Sequence, residues 1–143
     1  MKSVRKRQAI FVGSTILFLM VLCSCFSEKK QPPVGLVGEW ACEELASDGE
    51  TATEFYFLRI EENGEFSLYD RDAGNPGISG TMNCEDPEAE KGVVEITCDT
   101  DDFDPPTCWD IDVSDELDYE IDCASGEIRL GYQGIYLIFY QEK

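Results

Sequence analysis

From Gly38 onward the chain runs in short stretches of alternating apolar and polar residues, each bounded by glycine, asparagine, aspartate or proline, with no convincing amphipathic helical spacing. That pattern confines it to an all-β fold. Strands are expected over Gly38–Leu45, Glu54–Glu61, Glu65–Arg71, Ile78–Cys84, Val93–Cys98, Trp109–Val113, Leu117–Cys123, Glu127–Tyr132 and Ile135–Gln141. About eight or nine short strands in series describe an antiparallel up-and-down barrel, with one modest core and no second domain.

Register follows from parity, because paired residues share a face and a slip of one residue turns every side chain over. Tyr56, Leu58 and Ile60 share the inner face with Phe66 and Leu68 only if the loop between them is the three-residue Glu62-Asn63-Gly64, with Gly64 left-handed. A two-residue Ser125-Gly126 turn pairs Cys123 with Ile128 and Ile121 with Leu130. A two-residue Gln133-Gly134 turn pairs Tyr132 with Ile135 and Leu130 with Leu137. The same parity sends Trp40, Cys42, Met82, Cys84, Ile96, Cys98, Trp109, Ile111, Tyr119, Ile121 and Cys123 inward and leaves Cys108 alone outside.

Ahead of the strands, Met1–Arg7 holds Lys2, Arg5, Lys6 and Arg7 without an acid, and Ala9–Leu22 is apolar apart from Gly13, Ser14 and Thr15. This is the layout of a secretory signal. The alternative is an uncleaved transmembrane helix, since Ala9–Phe26 approaches bilayer-spanning length. The leading basic residues, with Glu28 offsetting Lys29 and Lys30, favour export. Leu22-Cys23-Ser24-Cys25 resembles the lipobox of bacterial lipoproteins, which implies that Cys25 is the lipidated residue. Its sulfur accepts the diacylglyceryl group, and Cys23 would put Leu22 beside the cut. The expected division is a lipoprotein signal peptide over 1–24, the lipidated cysteine and a proline-stiffened tether over 25–36, and a barrel domain over 37–143. Two or three acyl chains anchor stably where one is marginal, so the mature protein is expected in the bacterial cell envelope, extracytoplasmic and tethered to a membrane.

Four of the 11 basic residues precede Ser24 and all 30 acids follow it, so the mature chain sets 30 negative charges against 7 positive, a net of −23. Such a charge repels nucleic acid. The chain has no histidine, which removes the commonest general base and metal ligand. Gly77-Ile78-Ser79-Gly80 lacks the spacing of a nucleophile elbow. No nucleophile stands beside a base and no glycine-rich loop cradles phosphate, so neither an enzyme nor a cofactor is expected. After Cys25 come Cys42, Cys84, Cys98, Cys108 and Cys123, an odd set without a C-x-x-C pair. Two disulfides and one thiol is the default in an oxidising compartment, the thiol being Cys108 unless it closes the loop to Cys98. In an anaerobic host all five are small buried hydrophobes.

Gly38-Glu39-Trp40 at the first strand, followed by serial hairpins that include Glu62-Asn63-Gly64-Glu65-Phe66, looks like the Gly-x-Trp start of lipocalins and of bacterial lipocalin-like lipoproteins. The resemblance implies an eight-stranded barrel whose closed end is plugged by Trp40 and whose open end holds an apolar ligand. Gly38 and Trp40 are then structural. Lipocalins also pack a basic residue on that tryptophan, for which Arg129 is the candidate here, and carry a helix after the last strand, which this chain lacks.

A small apolar or amphiphilic ligand would meet Tyr56, Leu58, Phe66 and Tyr119, with Phe103 as a lid at the mouth. A second class of function uses the outside. The last strand is apolar on both faces, so Tyr136, Ile138 and Tyr140 are left outward, and with Arg129 they would suit an envelope or extracellular protein partner. In Asp99-Thr100-Asp101-Asp102-Phe103-Asp104 the carboxylates Asp99, Asp101, Asp102 and Asp104 are a calcium candidate without the EF-hand order, set against a simply solvated acidic loop. No metal site is assigned, and a monomer is expected.

Overall fold

The computed structural model describes residues 30–71 and 76–142. Eight strands follow one another: β1 (Gly38–Ser47), β2 (Glu50–Ile60), β3 (Glu65–Asp70), β4 (Pro76–Asn83), β5 (Lys91–Cys98), β6 (Ser114–Asp122), β7 (Glu127–Tyr132) and β8 (Ile135–Gln141). Each pairs antiparallel with the next, and β8 pairs with β1 to close the barrel. Closure leaves no sheet edge to template aggregation.

The hairpins show which turn chemistry prevails. Ile60 pairs with Phe66, and the amide of Glu61 donates to Glu65 O at 2.8 Å across the loop. Gly64 sits at φ +89°, so the three-residue loop forms as parity requires. Gln133 and Gly134 both have positive φ, and Tyr132 pairs with Ile135 as expected. The β6–β7 turn differs. Asp122 pairs with Glu127 and Ile121 with Ile128, so the loop spans Cys123 to Gly126 and the register lies two residues from the Ser125-Gly126 expectation. The cause is Asp122, whose Oδ1 accepts from the amides of Ala124 (2.9 Å) and Ser125 (3.3 Å). A side-chain acceptor that holds its own following backbone favours the longer loop. A shift of two preserves parity, but it ejects Cys123 from the sheet into solvent.

In β1 the register shifts between Cys42 and Glu44 against both neighbours. Trp40 and Cys42 face inward before the shift, and Leu45, opposite Leu137, packs on the core after it. The Cys42 thiol donates to Glu44 O at 3.3 Å inside this irregularity. Bulges of this kind bend a strand to follow the barrel wall.

Trp109–Val113 is not a strand. It is extended, with Trp109 and Ile111 buried between exposed Asp110 and Asp112, but it lies outside the sheet. The segment belongs to the long β5–β6 loop. Among the described residues no disulfide forms, so the default of two bridges does not hold here. Cys108 is half-buried against the core instead of pointing outward.

Candidate functional site

The barrel interior is filled. Trp40, Tyr56, Leu58, Ile60, Phe66, Leu68, Ile78, Met82, Val94, Ile96, Leu117, Tyr119, Ile128, Leu130, Leu137 and Phe139 form one buried cluster. Leu58, Leu68, Met82, Leu137 and Phe139 are each at most 1% exposed. Eight strands enclose just enough space for side chains to meet across the axis, and large residues at most inward positions use it up.

Both ends are covered. At one end a 3-10 turn over Val34–Leu36 drives Leu36, fully buried, under the first strand, and the Trp40 indole donates to Leu36 O at 2.9 Å. At the other end the β5–β6 loop crosses the mouth. The Asp99 amide donates to Ser79 O at 2.7 Å and the Asp104 amide to Gly77 O at 2.6 Å on the β4 side. Trp109, 2% exposed, donates its indole N–H to Ile135 O at 2.9 Å on the β8 side. One tryptophan therefore seals each pole.

The barrel has solved counterparts in fold. A lipocalin-like protein from Bacteroides uniformis superposes with a TM-score of 0.57 at 18% identity, over 76% of this chain and 99% of that one. The fold is lipocalin-like. A protein from Bacteroides eggerthii, uncharacterized by its own description, superposes with a TM-score of 0.51, also at 18% identity, over 74% of this chain and 98% of that one. No protein-family model matches the sequence, and no curated protein does.

Within the lipocalin-like barrel, Tyr56, Leu58, Phe66 and Tyr119 belong to the shared core, and Phe103 packs against it half-buried. They do not line one opening. Tyr119 donates its hydroxyl to Ala89 O at 3.2 Å, in the β4–β5 loop near the plug, whereas Phe103 lies in the loop over the mouth. Burial holds the Tyr119 phenol above its ordinary pKa. The lid role expected of Phe103 is filled chiefly by Trp109, which is more deeply buried. The cue was the isolated tryptophan after Pro105-Pro106, which its alternation with Ile111 disguised as a strand residue.

The acids of that loop are dispersed. Asp99 accepts from the Ser79 hydroxyl at 3.1 Å, while Asp101, Asp102 and Asp104 are exposed. Among the described residues no three acid, cysteine or histidine side chains gather as a metal site would require. Cys25 lies outside the described residues. So do residues 26–29 of the expected tether, but the rest of it is folded: Pro32 and Pro33 are buried, and Val34 donates to Pro87 O at 2.8 Å.

The outer wall over β7, β8, β1, β2 and β3 carries an aromatic row. Register lines up Tyr140, Ala41, Phe57 and Tyr69 across four strands. The Phe57 and Tyr69 rings lie 5.5 Å apart, and the Arg71 guanidinium sits 5.4 Å over Phe57, a favourable cation–π distance. Tyr140 is 42% exposed and Phe55, on the same face, 39%. Ile138 is on this face yet only 5% exposed, because Arg129 and Glu44 flank it in the ladder. It is a floor to the patch instead of an anchor. Tyr136 lies half-buried with its ring over Gly131, where a Cβ would collide with it. Arg129 ion-pairs with Glu127 at 2.8 Å, and Tyr140 donates to the other Glu127 oxygen at 3.3 Å. That bond to Glu127 holds the Arg129 pKa above its ordinary value. Sequence reasoning picked Tyr136, Ile138 and Tyr140 but missed Phe57, Tyr69 and Arg71 as members of the same surface. The available signal was the odd-numbered parity of Phe55, Phe57 and Tyr69 against the inward even-numbered residues.

Proposed function

We propose that the protein is an extracytoplasmic, lipid-anchored, non-catalytic binding domain that engages a polypeptide through its outer aromatic face. The closed interior carries this reading: the inward side chains form one cluster almost wholly shut off from solvent, with a tryptophan at each pole. The exposed chemistry is on the wall, where Phe55, Phe57, Tyr69 and Tyr140 combine with Arg71. Aromatic and arginine side chains are the usual energetic centres of protein interfaces. Arg59 stands between Glu61 at 2.7 Å and Glu39 at 3.8 Å, and Arg129 pairs with Glu127, so at the fringe of the patch three acids face two arginines. The partner is accordingly a polypeptide with an apolar anchor ringed by lysine or arginine.

The test is a photo-crosslinking residue placed at Phe57 or Tyr140 in the full chain, compared with one at Val93 on the opposite wall. A discrete adduct from Phe57 and Tyr140 only, lost at raised salt, supports the reading. Equal crosslinking at all three positions refutes it.

A second reading, a small apolar ligand in the barrel, draws on one observation: the mouth is closed by a single loop outside the sheet. Lifting Asp99–Val113 would carry Phe103 away and uncover Leu45 and Ile135, which pack against the core at that end. Native mass spectrometry of gently purified protein decides it, since a retained adduct lost on denaturation supports a carrier.

A further inference from the structure

We propose that the folded end of the tether fixes how the protein stands on its membrane: the plug end faces the bilayer and the covered mouth faces away from it. This rests on the reading of Cys25 as the lipidated residue.

The docked segment sets the geometry. The Cys84 amide and thiol both donate to Gln31 O, at 2.9 and 3.4 Å. Lys30 reaches Glu95 on β5 at 3.5 Å. Pro32 packs beside Gly64 in the β2–β3 loop, at the same pole as the Leu36–Trp40 plug. Lys30, the first described residue, therefore lies on the β4–β5 wall near the plug. From Cys25 to Lys30 there are five Cα steps, which span at most about 18 Å fully extended. Were the leash free up to Val37, its twelve steps could reach about 43 Å.

The barrel is longer than this leash. β2 has 11 residues, and at about 3.3 Å per residue and about 40° of tilt it rises about 28 Å along the axis. The mouth thus cannot be turned to the lipid surface without pulling Gln31 from Cys84 and Pro32 from its packing.

The experiment uses the full-length, lipidated protein in neutral phosphatidylcholine vesicles containing a dansyl-headgroup lipid as acceptor for tryptophan fluorescence. Single tryptophans are added at exposed positions: Glu62→Trp near the plug, Val93→Trp on the plug half of β5, Thr107→Trp over the mouth and Glu50→Trp at the mouth end of β2. Relative to the native chain, Glu62→Trp and Val93→Trp should raise mean transfer efficiency, and Thr107→Trp and Glu50→Trp should lower it. Acylated, vesicle-bound protein in which all four variants transfer alike, or in which the order is reversed, overturns the orientation. Protein whose intact mass carries no acyl group on Cys25 overturns the anchor reading and the orientation with it. A Cys84→Pro variant, which removes both the amide and the thiol that donate to Gln31 O, provides a further readout: it should narrow the differences among the four positions.

Discussion

Replacing Trp109 with alanine tests whether the β5–β6 loop is part of the packed unit or only lies over it. Trp109 is 2% exposed, so the substitution removes nearly a whole indole from the core and opens a void at the mouth. Large-to-small changes of this kind cost about 3–5 kcal/mol where the surroundings cannot collapse. Here collapse is restrained because Asp99 and Asp104 fasten the loop to β4 at 2.7 and 2.6 Å, and Cys98 donates to Val113 O at 2.6 Å behind it. Trp109→Phe also loses the indole bond to Ile135 O, about 1 kcal/mol, but keeps an aromatic ring in the site, so it should be milder than Trp109→Ala. Against a total stability of about 5–15 kcal/mol, Trp109→Ala remains foldable but loses about 12 °C or more of Tm, at about 4 °C per kcal/mol or more. Urea unfolding followed by Trp40 fluorescence and far-ultraviolet dichroism measures it. A loss within about 0.5 kcal/mol, as for ordinary surface changes, would refute the reasoning and make the loop a loose flap.

At Gly64, where φ is +89° and an added Cβ would stand 2.7 Å from Met82 O, Gly64→Ala should destabilise by about 1–3 kcal/mol through strain and overpacking; an unchanged urea midpoint would contradict the three-residue loop. Burial first, then the Asp99 carboxylate, pushes the Cys98 thiol up to about 11, so at pH 8 iodoacetamide should leave Cys98 unmodified in the folded protein and alkylate exposed Cys123. Because the Glu90 carboxylate accepts the Cys123 thiol proton and raises its pKa, Glu90→Gln should accelerate that alkylation, read by intact mass. The Asp122 carboxyl is held below the ordinary range by the Ser125 hydroxyl and the amides of Ala124 and Ser125, and that of Asp115 by the Glu116 amide first. Both contribute stability above the ordinary carboxylate pKa and lose it as pH falls through their depressed folded values, so Asp122→Asn should flatten the acid limb of a stability profile, and an unaltered limb would count against the loop geometry.

Much of the wall was readable in order. Strand positions, the Glu62-Asn63-Gly64 loop and the Gln133-Gly134 turn follow from local rules, because glycine at positive φ and two-residue alternation act within a few residues. The errors have non-local causes. The Asp122 side chain outcompeted Ser125-Gly126 for control of its turn, and Trp109–Val113 alternates like a strand but finds no neighbour in a ring already closed by β1 and β8. The bulge near Cys42 reverses parity so that Leu45 faces in, which nothing in the local pattern announces.

By itself the sequence determined that this is an acidic all-β chain, since charge, the missing histidine and alternation are properties of composition and neighbours. It also contained the aromatic residues of the outer wall, as singletons on separate strands. Only the tertiary structure decided that those singletons form one surface, because the row Tyr140–Ala41–Phe57–Tyr69 exists through register across four strands. The same holds for the filled interior, since whether inward side chains leave a cavity depends on how far they reach across the axis and on which loop closes the mouth. Both are matters of distance between residues far apart in the chain, where local propensity has no purchase.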